Sequence, residues 1–156
     1  MSEKLTITTR ITDVTANVAL EGVIDEDANF DKIKSLGMNQ FVFDFNNVGM
    51  INSCGIREWI KYLDELGSAS ITYINCPQII IEQVNMVHGF IRKGVAVESF
   101  YAPYFCTNCD TGKKILLKSS EVSGSKPPLK HCNTCKTELE FDAIEKQYFS
   151  FLSQGK

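Results

Sequence analysis

Two Cys-x2-Cys pairs are the most chemically pointed feature of the sequence. Cys106-Thr107-Asn108-Cys109 and Cys132-Asn133-Thr134-Cys135 are separated by 22 residues. A Cys-x2-Cys turn lets two thiolates converge on one ion while knuckle amides hydrogen-bond the sulfurs. Two such turns supply four soft ligands in a tetrahedron, a set that selects zinc over harder cations. A redox dithiol or an iron–sulfur site is the alternative use of the same spacing. A closed four-thiolate zinc site has no open position and is therefore structural rather than catalytic. His131, next to Cys132, reads as an exposed loop histidine, because four cysteines already complete the site. Cys76, at a strand end, reads as a small buried hydrophobe.

The second feature is the turn Asn52-Ser53-Cys54-Gly55, which opens an amphipathic helix. A helix N-terminus offers unpaired amides and the positive end of a dipole. Ser53 there can cap the helix, the simpler reading from the residues alone, or carry a phosphate whose oxygens meet those amides. Cys54 in the same turn is a candidate thiol nucleophile, since a helix N-terminus lowers a thiol pKa. The two histidines, His88 and His131, are not near it in the pattern.

The elements that position these residues follow from periodicity. Leu5–Thr9 with Ile11, and Asn17–Leu20, predict a β-hairpin. Gly22 and the acidic run Asp25-Glu26-Asp27 lead into a helix with Phe30, Ile33 and Leu36 on its apolar face, ended by Gly37. The nearly continuous apolar run Phe41–Phe45 suits a central strand covered on both faces. Asn46 to Gly55 then reads as a connection. A helix from Ile56 to Leu66 carries an apolar stripe of Ile56, Trp59, Ile60, Leu63 and Leu66 and stops at Gly67. Ile71–Cys76 is a strand, Gln78–Phe90 a helix, and Val95–Val97 with Phe100 and Tyr101 a last strand. The order β-β-α-β-α-β-α-β predicts an α/β fold, a mixed sheet packed with helices.

After Tyr104 the apolar periodicity lapses. Lys114–Leu117 and Leu139–Phe141 are expected as ribbon strands around the knuckles, with a flexible polar loop over residues 119–128. The expected organisation is an α/β domain over residues 1–101 and a small zinc-ribbon-like module of four cysteines with its tail over residues 102–156. The stretch Tyr101–Phe105 has little slack, so the module should be a rigid appendage. Tyr148, Phe149 and Phe151 are expected to pack back onto one of the two units.

Composition sets limits on function. The chain has 156 residues, is 44% hydrophobic and 22% charged, and has a formal net charge of −3. That is an ordinary globular balance, with enough apolar surface to exclude disorder. No apolar run of about 18 residues exists, so no membrane span or membrane partner is expected. Met1-Ser2-Glu3-Lys4 lacks a signal-peptide core. A cytosolic (cytoplasmic) chain is expected, in which six cysteines point to metal or thiol chemistry rather than disulfides. Lys113, Lys114, Lys118, Lys126 and Lys130 are candidate phosphate contacts. Four thiolates with one zinc offset their charge, so a nucleic-acid partner is disfavoured.

The segment Phe43-Asp44-Phe45-Asn46-Asn47-Val48-Gly49-Met50-Ile51-Asn52-Ser53-Cys54-Gly55-Ile56 resembles the signature of STAS domains, the sulfate transporter and anti-sigma factor antagonist family. In that signature an apolar strand, an Asp and a short loop precede Asp-Ser-(Ser/Thr)-Gly-(Leu/Ile)-Gly at a helix start. Leu20-Glu21-Gly22-Val23-Ile24-Asp25 resembles the family's turn before its first helix. The resemblance covers about residues 4–101. It implies a domain that acts by binding proteins, not by catalysis. In bacterial anti-sigma factor antagonists a serine at this position is phosphorylated by an anti-sigma kinase, and the unphosphorylated form binds that kinase and frees the sigma factor. By position Ser53 matches the phosphoacceptor. Asn52 stands in place of the usual Asp, Cys54 in place of Ser or Thr, and Arg57 in place of the second glycine; Gly55 is retained.

The resemblance and the residues together predict a bacterial signalling or scaffold protein with a structural zinc ribbon. Its protein partner would be an anti-sigma factor or serine kinase. The expected partner surface is Asn52, Ser53, Cys54 and Gly55 with Arg57, Glu58, Lys61 and Asp64 on the exposed face of the helix. The competing classes are a zinc-ribbon nucleic-acid binder and a thiol enzyme using Cys54.

Overall fold

A computed structural model describes residues 4–87 and 89–153; Met1–Glu3, His88 and Gln154–Lys156 lie outside the described residues. The hairpin forms as expected: β1 (Thr6–Thr12) pairs antiparallel with β2 (Thr15–Ile24) across a two-residue turn at Asp13-Val14. β3 (Gln40–Ile51), β4 (Ser70–Ile74) and β5 (Val95–Val97) add in parallel, giving a five-stranded mixed sheet in the order β1-β2-β3-β4-β5. Three helices link the parallel strands: α1 (Asp31–Lys34), α2 (Ser53–Leu66) and α3 (Gln78–Met86). The fold is mixed α/β. Among the described residues no helix is long and apolar enough to cross a membrane.

β3 is central, but its two faces differ. Phe41, Phe43 and Phe45 are fully buried, while Val42 and Asp44 are half-exposed. Strand side chains alternate between faces, so one face meets the helices and the other stays partly open. The apolar run is therefore not doubly covered. On the closed face Trp59 of α2 is the hub. Its ring lies edge-on to Phe43 at 4.9 Å and to Phe30 at 5.1 Å between centroids. Trp59 Nε1 donates to the Tyr73 hydroxyl, which donates to the Phe90 carbonyl.

Both β2 and β3 run further than the residue pattern indicates. The stretch Asn46–Ile51 continues β3 instead of forming a connection, and Glu21–Ile24 continues β2. Two register shifts absorb the awkward residues: Ala19 opposes Asp44 but Glu21 opposes Asn47, and Gly22 opposes Val48 but Val23 opposes Met50. Each shift adds one residue to β3, the geometry of a β-bulge. Asp44 Oδ1 accepts the Asn46 amide at the first. Asn46 and Gly49, which suggest a loop, thus fall at the bulges, and Asn47 pairs with Glu21. Conversely, α1 is one turn long, with Ile33 buried, and α3 ends at Met86 rather than Phe90.

The stretch from Val95 to Tyr101 divides between two sheets. β5 ends at Val97, and β6 (Ser99–Cys106) starts a second, three-stranded sheet with β7 (Thr111–Lys118) and β8 (Glu140–Phe141) in the order β7-β6-β8. β6 runs through the junction between residues 101 and 102, and Cys76 bridges Phe100 in parallel. The polar segment after β7 is pinned rather than flexible. Ser119 Oγ donates to the Val97 carbonyl, Tyr104 donates to the Pro128 carbonyl, and Lys130 pairs with Glu121 at 3.1 Å. The tail folds back through α4 (Glu145–Tyr148). Phe151 meets Phe100 edge-on at 5.0 Å, Phe149 stacks on Phe141, and Asn85 of α3 donates to the Tyr148 carbonyl. The tail thereby touches the second sheet and α3, and one continuous apolar core extends from Ala16 to Phe151.

Candidate metal centre and helix-start loop

The two knuckles close on each other. Cys106 sits at the end of β6 and Cys109 in the turn to β7; Cys132 and Cys135 follow on the facing loop. Cys106 Sγ lies 3.5 Å from Cys135 Sγ and Cys109 Sγ 3.9 Å from Cys132 Sγ, with all four sulfurs within 4.8 Å of one another. A disulfide needs about 2.05 Å. A tetrahedron of thiolates about 2.3 Å from a central ion has sulfur–sulfur edges of about 3.8 Å. The sulfurs are spaced for an ion, not for bonds to each other, so this cluster can hold a metal.

The backbone prepares the sulfurs for that charge. The Cys109 amide donates to Cys106 Sγ at 3.3 Å. The amides of Cys135 and Thr134 lower the Cys132 thiol pKa. Cys135 Sγ is hydrogen-bonded to Thr137 Oγ1 at 3.2 Å, and this contact, with the Thr137 amide and Asn108, holds its pKa down at about 5. Cys109 moves the opposite way, up to about 12, because its thiol is shared with the sulfurs of Cys135 and Cys106. Four sulfurs without a cation cannot all ionise; a divalent ion removes that conflict. Thr137 and Asn108 were not singled out by sequence. Their signal is positional, two residues after the last cysteine and inside the first knuckle. His131 is exposed and bridges Glu138 within the ribbon, as an exposed loop residue.

The candidate phosphate contacts do not form one basic stripe. Along β7 successive side chains alternate, so Lys113 lies on the face opposite to Lys114 and Lys118. Lys130 is engaged by Glu121.

At the start of α2 the cap belongs to Asn52, not Ser53. Asn52 is extended at φ −110° and ψ 177°, and its side chain accepts the Gly55 amide at 2.8 Å. Its Nδ2 donates to Glu26 at 3.3 Å. Ser53 is the first helical residue, exposed, with no hydrogen-bond partner for its hydroxyl among the described residues. Cys54 is half-buried and likewise has no partner there. Gly55 is buried where α2 crosses the end of β2, and any Cβ on it would overlap the Ile24 carbonyl. On the outer face Arg57, Lys61 and Asp64 are exposed and Glu58 is half-buried. Lys61 approaches Glu58 at 3.8 Å and Asp64 is paired with Arg92, whereas Arg57 has no ion pair among the described residues. Ser53, Ile56, Arg57, Ile60 and Lys61 line one wall of a mainly apolar groove of about 400 Å³, with Gln83 and Val87 opposite. The structure thus gathers Ser53, Arg57 and Lys61 around one groove and leaves Asp64 engaged elsewhere.

No family model matches the chain, and no curated protein matches it significantly.

Proposed function

We propose that this protein is a STAS-like, anti-sigma factor antagonist-like binding protein. It would act in cytoplasmic bacterial signalling, without catalysis, through the groove beside Ser53. The observation that carries this reading is the division of labour at α2. Asn52 supplies the cap, which leaves the Ser53 hydroxyl exposed and unengaged at the mouth of an apolar groove. A serine needed for capping could not be modified without loss of the helix start; this one can be. A phosphate there adds about −1.5 to −2 charge beside helix amides that tolerate it. A protein partner such as an anti-sigma factor or serine kinase, fitted to the neutral loop, would have to bury that charge. The metal cluster fits the reading as a zinc site that fixes the ribbon and takes no part in chemistry, since four thiolates leave no open position.

The test is affinity capture from the native host, followed by binding measurements on the captured partner. Ser53→Ala should bind close to wild type. Ser53→Asp should lose about 2 kcal/mol or more, the usual scale for an unmatched charge buried at an interface. Arg57 has no ion pair among the described residues and lies one turn away, so it can neutralise part of that charge; Ser53→Asp with Arg57→Ala should lose more than Ser53→Asp with Arg57 retained. Equal binding by Ser53→Asp and wild type in both backgrounds would remove the switch.

A further inference from the structure

We propose that two copies of this chain join edge to edge through β1, antiparallel, into one continuous sheet. β1 is the outer strand of the five-stranded sheet, and among the described residues its sole strand partner is β2. Six of the seven residues in Thr6-Ile7-Thr8-Thr9-Arg10-Ile11-Thr12 are β-branched, the type that favours strands. The strand carries no proline, no lysine and no bulge, the devices that normally keep edges from pairing; its register with β2 is unbroken.

The direction of its free groups follows from the turn. A two-residue hairpin is closed by a hydrogen-bonded pair, here Thr12 and Thr15. Antiparallel pairs then alternate, so the amides and carbonyls of Ile7, Thr9 and Ile11 point away from β2. The Ile7 carbonyl is indeed free to accept from Lys32 Nζ at 3.3 Å. The side chains of the same three residues lie on the helix-covered face, opposite Leu20, Val18 and Ala16. That apolar layer is unfinished at its rim, where Ile11 is 52% exposed and Val14 64%.

The occupant is a second copy because the strand is complementary to itself about Thr9. With a twofold axis at Thr9, Ile7 of each copy stands opposite Ile11 of the other, and Thr6 opposite Thr12. Every outward amide and carbonyl of Ile7, Thr9 and Ile11 gains a partner. The two isoleucine pairs carry the apolar layer across the axis. Arg10, the strand's one charge, faces Thr8 rather than another arginine. Lys32 must release the Ile7 carbonyl, which its long exposed side chain permits. A slip by one residue would break this arrangement and set isoleucine against threonine.

The test uses the full chain and measures mass against concentration by sedimentation equilibrium. Wild type should pass from monomer to dimer. Thr9→Pro and Ile11→Lys should each remain monomeric over the same range, with unchanged far-ultraviolet circular dichroism. Proline is compatible with the fold at Thr9, whose N–H faces away from β2; if that variant fails to fold, Ile11→Lys decides. Paired strand residues lie about 5.5 Å apart between Cα atoms, within disulfide reach, so oxidised Thr9→Cys should cross-link as a dimer and Arg10→Cys should not. A monomer at every concentration overturns the proposal. So does a dimer that survives both Thr9→Pro and Ile11→Lys, or cross-linking by Arg10→Cys in place of Thr9→Cys.

Discussion

Asn52 Oδ1 accepts the Gly55 amide at 2.8 Å, and this one bond separates two neighbouring polar residues into a structural and a free one. Asn52→Ala should cost about 1 kcal/mol, the usual loss of an N-cap. Ser53→Ala should change stability by less than about 0.5 kcal/mol, as for a surface site without contacts. Urea unfolding of the two variants checks the ranking; a larger loss for Ser53→Ala would return the capping role to the serine.

Gly55 should not tolerate even a methyl group. Its α-carbon faces the Ile24 carbonyl and the Asp25 amide, backbone atoms that cannot turn aside as a side chain would. Gly55→Ala should therefore destabilise by about 1–3 kcal/mol, the range for forced overpacking, although alanine favours helices. Thermal melts of Gly55→Ala beside Gly49→Ala make the comparison, since a Cβ at Gly49 meets open space.

Two buried tyrosines should respond oppositely to loss of the hydroxyl. Tyr73 accepts from Trp59 and donates to the Phe90 carbonyl, so Tyr73→Phe strands a buried indole N–H and should cost about 1–3 kcal/mol. The Tyr62 hydroxyl is buried with no hydrogen-bond partner among the described residues. Tyr62→Phe should be neutral or stabilising by up to about 1 kcal/mol, because it removes an unsatisfied polar atom. Denaturant midpoints with unchanged slopes would establish both; a loss at Tyr62 matching that at Tyr73 would mean its hydroxyl is engaged in solution.

The cysteine cluster should carry about one zinc per chain, lost when Cys106, Cys109, Cys132 or Cys135 is replaced by serine. Elemental analysis of protein purified under reducing, chelator-free conditions measures this. Chelation should expose the knuckle amides to hydrogen exchange. The Phe100–Phe151 contact should persist, because it lies in the shared core.

Metal uptake at neutral pH should release fewer than four protons. In the metal-free protein the Cys135 thiol, held down at about 5, has already lost its proton at neutral pH. A depressed thiol pKa stabilises the folded, metal-free ribbon fully above its unfolded value near 9, and that contribution is lost as pH falls toward 5. The raised pKa of Cys109 works the other way: its contribution is complete below about 9 and disappears as pH climbs toward 12. Calorimetry in buffers of different ionisation enthalpy counts the protons. Release of all four would show that Thr137 and the knuckle amides do not depress these thiols.

Much of this architecture is legible in the residues alone because the signals are local. The apolar run Phe41–Phe45, the helical stripe around Trp59 and the Cys-x2-Cys spacings each depend on a few neighbouring positions, and the strand, the helix and the cysteine cluster each form where those positions imply. Three features were decided only by tertiary contacts. Asn46–Ile51 is loop-like in composition but becomes strand because β2 lies alongside and two bulges accommodate the extra residues. Ser53 and Asn52 are equivalent as caps by type; the crossing of α2 over β2 chose between them, because it fixed the approach of Gly55. Tyr62 lies on the helical stripe, three residues after Trp59 and four before Leu66, but only tertiary packing sets Phe30 against its ring at 5.3 Å. Local spacing determines which residues can share a face. Which face is covered, and by what, depends on segments far apart in the chain, and that information is set by packing.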